Sequence, residues 1–121
     1  MNEKKKKLGQ VFTPDWIVKL ILDRSEYSGN TILDKYIFEP GCGSGNFLLQ
    51  IVERFIETAK QNGLKNNEIK KKIEKYIYGI EVDESVYKEC LNRLDDLAKS
   101  YDLQNIKWNI QNKDILDIEI S

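Results

Sequence analysis

Apolar residues return along this chain in two alternating rhythms. Trp16, Ile17, Leu20 and Ile21 recur at helical spacing. Thr13 is placed to cap that run, and Pro14 suits a first helical position, so residues 13–27 predict a helix that "SGN" then breaks. Residues 35–40, "KYIFEP", form a short apolar run closed by Pro40 and predict a buried strand. Residues 46–61 set Leu48, Ile51, Val52 and Phe55 on one helical face. After the loop "NGLKNN", residues 68–76 predict a short helix and residues 77–83, "IYGIEVD", a second strand. Residues 84–101 predict a helix carrying Val86, Cys90, Leu94 and Leu97 inward. Residues 106–120 begin as a third strand and then lose their pattern.

Strands alternating with helices predict an α/β fold with a parallel sheet and right-handed crossovers. Ligands of such sheets bind beyond the carboxyl ends of the strands. The 121 residues suit one domain or part of one, and 40% hydrophobic content can build a core. No apolar stretch nears the ~20 residues of a membrane span. No apolar signal core follows the basic start, so a cytoplasmic protein with no membrane partner is expected. A net charge of −1 is no footprint for nucleic acid. Lys4 to Lys7 read as a solvated tail or as a phosphate-contacting arm, and Lys70 to Lys72 as the wet face of a helix. Cys42 and Cys90 are far apart in sequence and there is no histidine, which removes zinc and redox motifs, Ser-His-Asp and Cys-His catalysis, and histidine metal sites.

The chemistry collects around "IFEPGCGSGNFLL". Gly41, Gly43 and Gly45 leave the first strand and open the next helix. A dinucleotide G-x-G-x-x-G would need glycine where Asn46 stands, and no P-loop Lys-Ser/Thr pair follows. Glu39 ends the first strand, Glu81 the second, and Asp114 follows the third. A parallel sheet sets these acids side by side along one rim. Three carboxylates would repel a pyrophosphate but accept hydrogen bonds from hydroxyls and amines. S-adenosylmethionine offers a ribose diol, an ammonium and a sulfonium.

"FEPGCGSGNFLL" resembles the cofactor motif of N6-adenine DNA methyltransferases of restriction–modification systems. "YGIEVDESV" and "NKDILD" are similar to that family's second and third motifs. "LGQVFTPDWIVKLIL" is similar to the N-terminal motif that precedes them in the order-permuted subgroup. The resemblance runs from Leu8 to Asp117. It implies a Rossmann-like sheet and S-adenosylmethionine as cofactor. It sets Thr13 beside the methionine carboxylate and Glu39 toward the methionine amine. Backbone approach falls to Gly41, Gly43 and Gly45, the ribose to Glu81, the adenine faces to Val82 and Ile115, and the adenine amine to Asp114.

The family's catalytic Asn/Asp/Ser-Pro-Pro-aromatic motif does not occur, because the two prolines, Pro14 and Pro40, are not adjacent. No residue here is assigned a catalytic role, and no metal site is expected. Residues 1–10 read as a flexible basic tail and residues 11–121 as a partial methyltransferase domain, cut after about three strands. Double-stranded DNA would bind through a C-terminal part that the sequence lacks, and a complementary polypeptide could carry the rest. The first strand would then be an apolar edge. Other readings stay open: an RNA adenine dimethyltransferase fragment, for which "LGQVF" speaks, a non-catalytic cofactor-binding module, and a dinucleotide-binding domain. Cys42 reads as a packed loop residue, Asp83 and Glu84 as a helix start, Tyr76 and Tyr78 as packing residues. Trp16 suits a core or interface place or a stack on a ligand, and Asp114 fits a surface loop as well as a ligand contact.

Overall fold

The computed structural model describes residues 15–24, 27–114 and 116. The first helix, α1, covers Asp15–Arg24 and stops short of the predicted end. Arg54 is the physical reason. Its Nη1 donates to Asp23 Oδ1 at 2.7 Å and to the Tyr27 carbonyl at 3.2 Å, and its Nη2 to the Lys19 carbonyl at 3.2 Å. A cation thus meets the Tyr27 carbonyl just past the helix and sits at the negative end of the helix dipole. Thr13, Pro14 and the Lys4 to Lys7 tail lie outside the described residues. Trp16 is 67% exposed, which removes the core reading. Leu22, about 200° around the helix from Leu20, supplies the buried side instead.

A 3-10 turn at Asn30–Asp34 leads into β1, Ile37–Pro40. Helix α2 spans Asn46–Gln61, α3 Asn66–Tyr76, β2 Ile77–Ile80, α4 Glu84–Ser100 and β3 Asn109–Gln111. Asp83 caps α4, its Oδ1 accepting from the Val86 N–H at 3.0 Å. That is the helix-start role expected of it. The strands run parallel in the order β1-β2-β3, with Phe38 opposite Tyr78, Glu39 opposite Gly79, and Gly79 opposite Ile110. This is the α/β architecture expected from the alternation of strands and helices.

The two sheet faces differ. On one, Leu48, Val52, Phe55 and Ile56 of α2 pack with Ile69 and Ile73 of α3, Cys90 and Leu94 of α4, and Ile77 and Ile110 of the sheet. Side chains crowd Gly79 there: a Cβ on it would lie 3.1 Å from an Ile110 methyl and 3.2 Å from a Leu48 methyl. The other face carries Tyr36, Phe38 and Tyr78, with Tyr36 edge-on to Tyr76 at 4.7 Å and stacked on Tyr78 at 6.4 Å. Phe38 is 51% exposed. β1 is therefore not the fully buried strand expected. Its residues alternate half-buried and exposed, because helices cover one face only among the described residues.

Candidate cofactor site

The turn after β1 is tied to β2 before α2 begins. Cys42 donates its N–H to the Ile80 carbonyl at 2.9 Å, and Gly45 donates to the Cys42 carbonyl at 3.2 Å. Gly43 (φ 60°) and Gly45 (φ 101°) both hold the left-handed region, but for different reasons. A Cβ on Gly43 would meet open space, so this part of the turn presents bare backbone outward. A Cβ on Gly45 would meet Cys90 Sγ at 3.0 Å, so this glycine lets α2 and α4 close together. Gly41, at φ 66°, also faces open space.

Glu81 knots the strand exits together. It is 1% exposed. Its Oε1 accepts from the Gly43 N–H at 2.9 Å and its Oε2 from the Asp83 N–H at 2.9 Å. Its own N–H donates to the Gln111 carbonyl at 2.9 Å. Asn112 closes the third side, its Nδ2 donating to the Glu81 carbonyl at 2.9 Å and the Val82 carbonyl at 3.1 Å. Val82 stands 49% exposed just beyond β2.

Glu39 is opposite Gly79, and Glu81 follows Gly79 by two residues, so the two acids point to one sheet face. The neighbouring Cys90 thiol and burial hold the Cys42 thiol protonated, and the charges of Glu81 and Glu39 add to this. A buried, neutral thiol is no nucleophile, in keeping with the packing role read for Cys42. Glu39 is half-buried and its side chain has no hydrogen-bond partner among the described residues. Burial pushes its carboxyl above the usual carboxylate range. Asp114 follows β3 by three residues and is half-buried, and its Oδ1 accepts from the Leu116 N–H at 3.0 Å. Thr13 and Ile115 lie outside the described residues.

Two contributors escaped the sequence reading. Asn112 sits inside "NKDILD", beside the acid chosen there, and nothing in the sequence alone marked it. Arg93 is a half-buried cation beside the packed face of α4 that reaches back to the turn, and no spacing rule points to it.

A parallel sheet with crossover helices and a left-handed glycine turn after its first strand defines a Rossmann-like fold. The profile of the family described as N-6 DNA Methylase matches residues 1–117, and the chain belongs to that family. It is 30% identical over 105 residues to the Type II methyltransferase M.BstVI of Geobacillus stearothermophilus, a match covering 84% of this chain and 19% of that protein. It is 45% identical over 62 residues to the Type I restriction enzyme HindI methylase subunit of Haemophilus influenzae, covering 50% of this chain and 12% of the other. In these alignments the chain spans less than a fifth of either relative. The fold is similar to that of the ATP-dependent Type ISP restriction-modification enzyme LlaBIII bound to DNA, with a TM-score of 0.64 at 19% identity over 92% of this chain and 8% of that one. A nuclease-deletion mutant of the Type ISP enzyme LlaGI, in complex with a DNA substrate mimic, matches with a TM-score of 0.62 at 18% identity over 84% of this chain and 10% of that one.

Proposed function

We propose that this chain is the S-adenosylmethionine-binding portion of a DNA methyltransferase acting on the exocyclic amine of adenine in a restriction–modification system. The observation that carries the reading is Glu39. A half-buried carboxylate without a partner among the described residues, beside an outward-facing bare turn, fits a ligand that brings a positive charge. A pyrophosphate would bring the wrong sign. When bound, S-adenosylmethionine supplies an electrophilic methyl group. The chain's own part is to hold and orient. Glu39 pairs with the ammonium, the Gly41 and Gly43 backbone accommodates the methionine part, Glu81 takes ribose hydroxyls, Val82 and Ile115 sandwich the adenine, and Asp114 accepts from its amine. Thr13 lies by the methionine carboxylate.

Glu81 already holds the Gly43 and Asp83 N–H groups, so its ribose role would add to a structural one. Calorimetry with S-adenosylmethionine, set against NAD, tests the assignment. Glu39→Gln is the clean variant, and we expect it to weaken S-adenosylmethionine binding by 1.5–3 kcal/mol, roughly 10- to 150-fold, as one charge-assisted contact would. Glu81→Ala should weaken binding similarly, though it also strips two N–H groups of their acceptor. Binding of NAD in preference, or affinity indifferent to Glu39→Gln, would refute the reading.

The DNA-facing chemistry is proposed for the complete enzyme. The Asn-Pro-Pro-aromatic motif does not occur in the sequence, so the chain alone should bind cofactor without methylating DNA. The motif belongs to the rest of the enzyme, further along the same polypeptide or on a complementary one, whose strands would extend the sheet beside β1, which has a neighbour on one side only among the described residues. The DNA and the DNA substrate mimic bound by the two structural neighbours support duplex DNA as the partner of the complete enzyme, which we place in the cytoplasm. Methyl transfer to duplex DNA by the chain alone would count against it.

A further inference from the structure

The residue that shapes the glycine turn from behind is Arg93. It follows Cys90 by three positions on α4, so the two share a helix face toward the turn. Arg93 Nη1 donates to the Ser44 carbonyl at 3.0 Å, to Ser44 Oγ at 3.3 Å and to Asn46 Oδ1 at 3.1 Å. Ser44 and Asn46 flank Gly45, the left-handed residue that starts α2. Arg93 makes no ion pair with a carboxylate among the described residues. Its charge is directed at neutral oxygens, where charge-assisted bonds are strong. These contacts span 47 to 49 residues of sequence, so they bind the first crossover to the second at the point where the turn opens.

We propose that Arg93 is a positioning residue of the cofactor site. It holds residues 43–46, with Gly43 and Gly45 left-handed, in their course before any ligand arrives, so that the bare backbone at Gly43 is already formed. The ordering entropy of a glycine-rich turn is then met during folding instead of during binding. The proposal rests on the cofactor reading for its effect on affinity, but its effect on the turn is independent of any ligand.

Two measurements separate these. Arg93→Met keeps the apolar stem and removes the donors. In the ligand-free chain, hydrogen exchange at the amides of residues 43–46 should quicken about tenfold, as expected for loss of one charged hydrogen-bond site, with β2 and α4 amides unchanged. Arg93→Lys should restore part of that protection, and Asn46→Ala, which removes one acceptor, should give a smaller acceleration. In calorimetry, Arg93→Met should weaken S-adenosylmethionine binding about tenfold with little change in the thermal midpoint. Unchanged exchange at residues 43–46 would overturn the proposal, as would a general acceleration across α4. If exchange responds as expected while the unaltered chain fails to bind S-adenosylmethionine, the cofactor reading fails and the positioning of the turn by Arg93 stands.

Discussion

The site is decided by where single polar groups find or lack partners. Glu39 shows this in its pH dependence. Burial raises its folded-state pKa above the unfolded one. Within that window the native state holds more protons than the unfolded state, so stability falls as pH rises through it and stays lower above it. Glu39→Gln should therefore raise the thermal midpoint at neutral pH and leave it unchanged below the carboxylate range, while cofactor affinity drops. A variant equally stable at both pH values would argue against a desolvated Glu39. In the unaltered chain, affinity for S-adenosylmethionine should rise with pH as Glu39 ionises, then level off. Tyr27 is a second misfit, its hydroxyl buried without a hydrogen-bond partner among the described residues. Tyr27→Phe should stabilise by about 1 kcal/mol in denaturant titration, since it removes an unsatisfied group and keeps the ring. Acid residue types were legible in the sequence because chemistry restricts what can meet an amine or a diol. Their partners were not: Glu81 bonding to Gly43 across 38 residues depends on how two strands end side by side.

Elements were legible where pattern and packing agreed. Helix α2 carries its buried residues at the spacing read from sequence, and α4 buries Val86, Cys90 and Leu94 as read, with Ala98 buried and Leu97 half-buried against the core. β3 was faint because it is three residues long and Ile110 alone is buried in it, too short for any period to show. The joint between α2 and α4 yields an element-scale prediction. Gly45→Ala adds a methyl 3.0 Å from Cys90 Sγ on a backbone of φ 101°. Overpacking and left-handed strain together should destabilise by roughly 2–4 kcal/mol. Cys90→Ala alone leaves a small cavity, but in combination it makes room for the new methyl. The double variant should then be less damaged than the two single losses summed. Thermodynamic cycles from urea unfolding measure that coupling. Strict additivity would mean that the strain lies wholly in the backbone and that the thiol is no obstacle.

At the scale of the molecule, the sheet is half-dressed. Helices cover one face, while Tyr36 and Phe38 stand exposed on the other, and β1 has a strand on one side only among the described residues. The sequence announced the aromatic residues but not their direction, because alternation in "YIF" places one set inward without saying which set a helix will cover. Lys72 and Lys75 sit at the rim, 5.6 and 5.1 Å from the Tyr76 ring centre, so the patch has a charged border and an apolar middle. A net charge of −1 gives little repulsion between copies. The isolated chain should therefore self-associate with concentration and bind an apolar dye, both through this face. Phe38→Lys puts a charge at its centre, next to Tyr78 in register, and Lys at a strand edge opposes pairing. Sedimentation should then find the variant monomeric at concentrations where the parent chain is not, with cofactor affinity retained because residue 38 points away from the turn. If association persists in Phe38→Lys but disappears in Trp16→Lys, the sticky surface is that of α1, and the sheet face needs no covering partner.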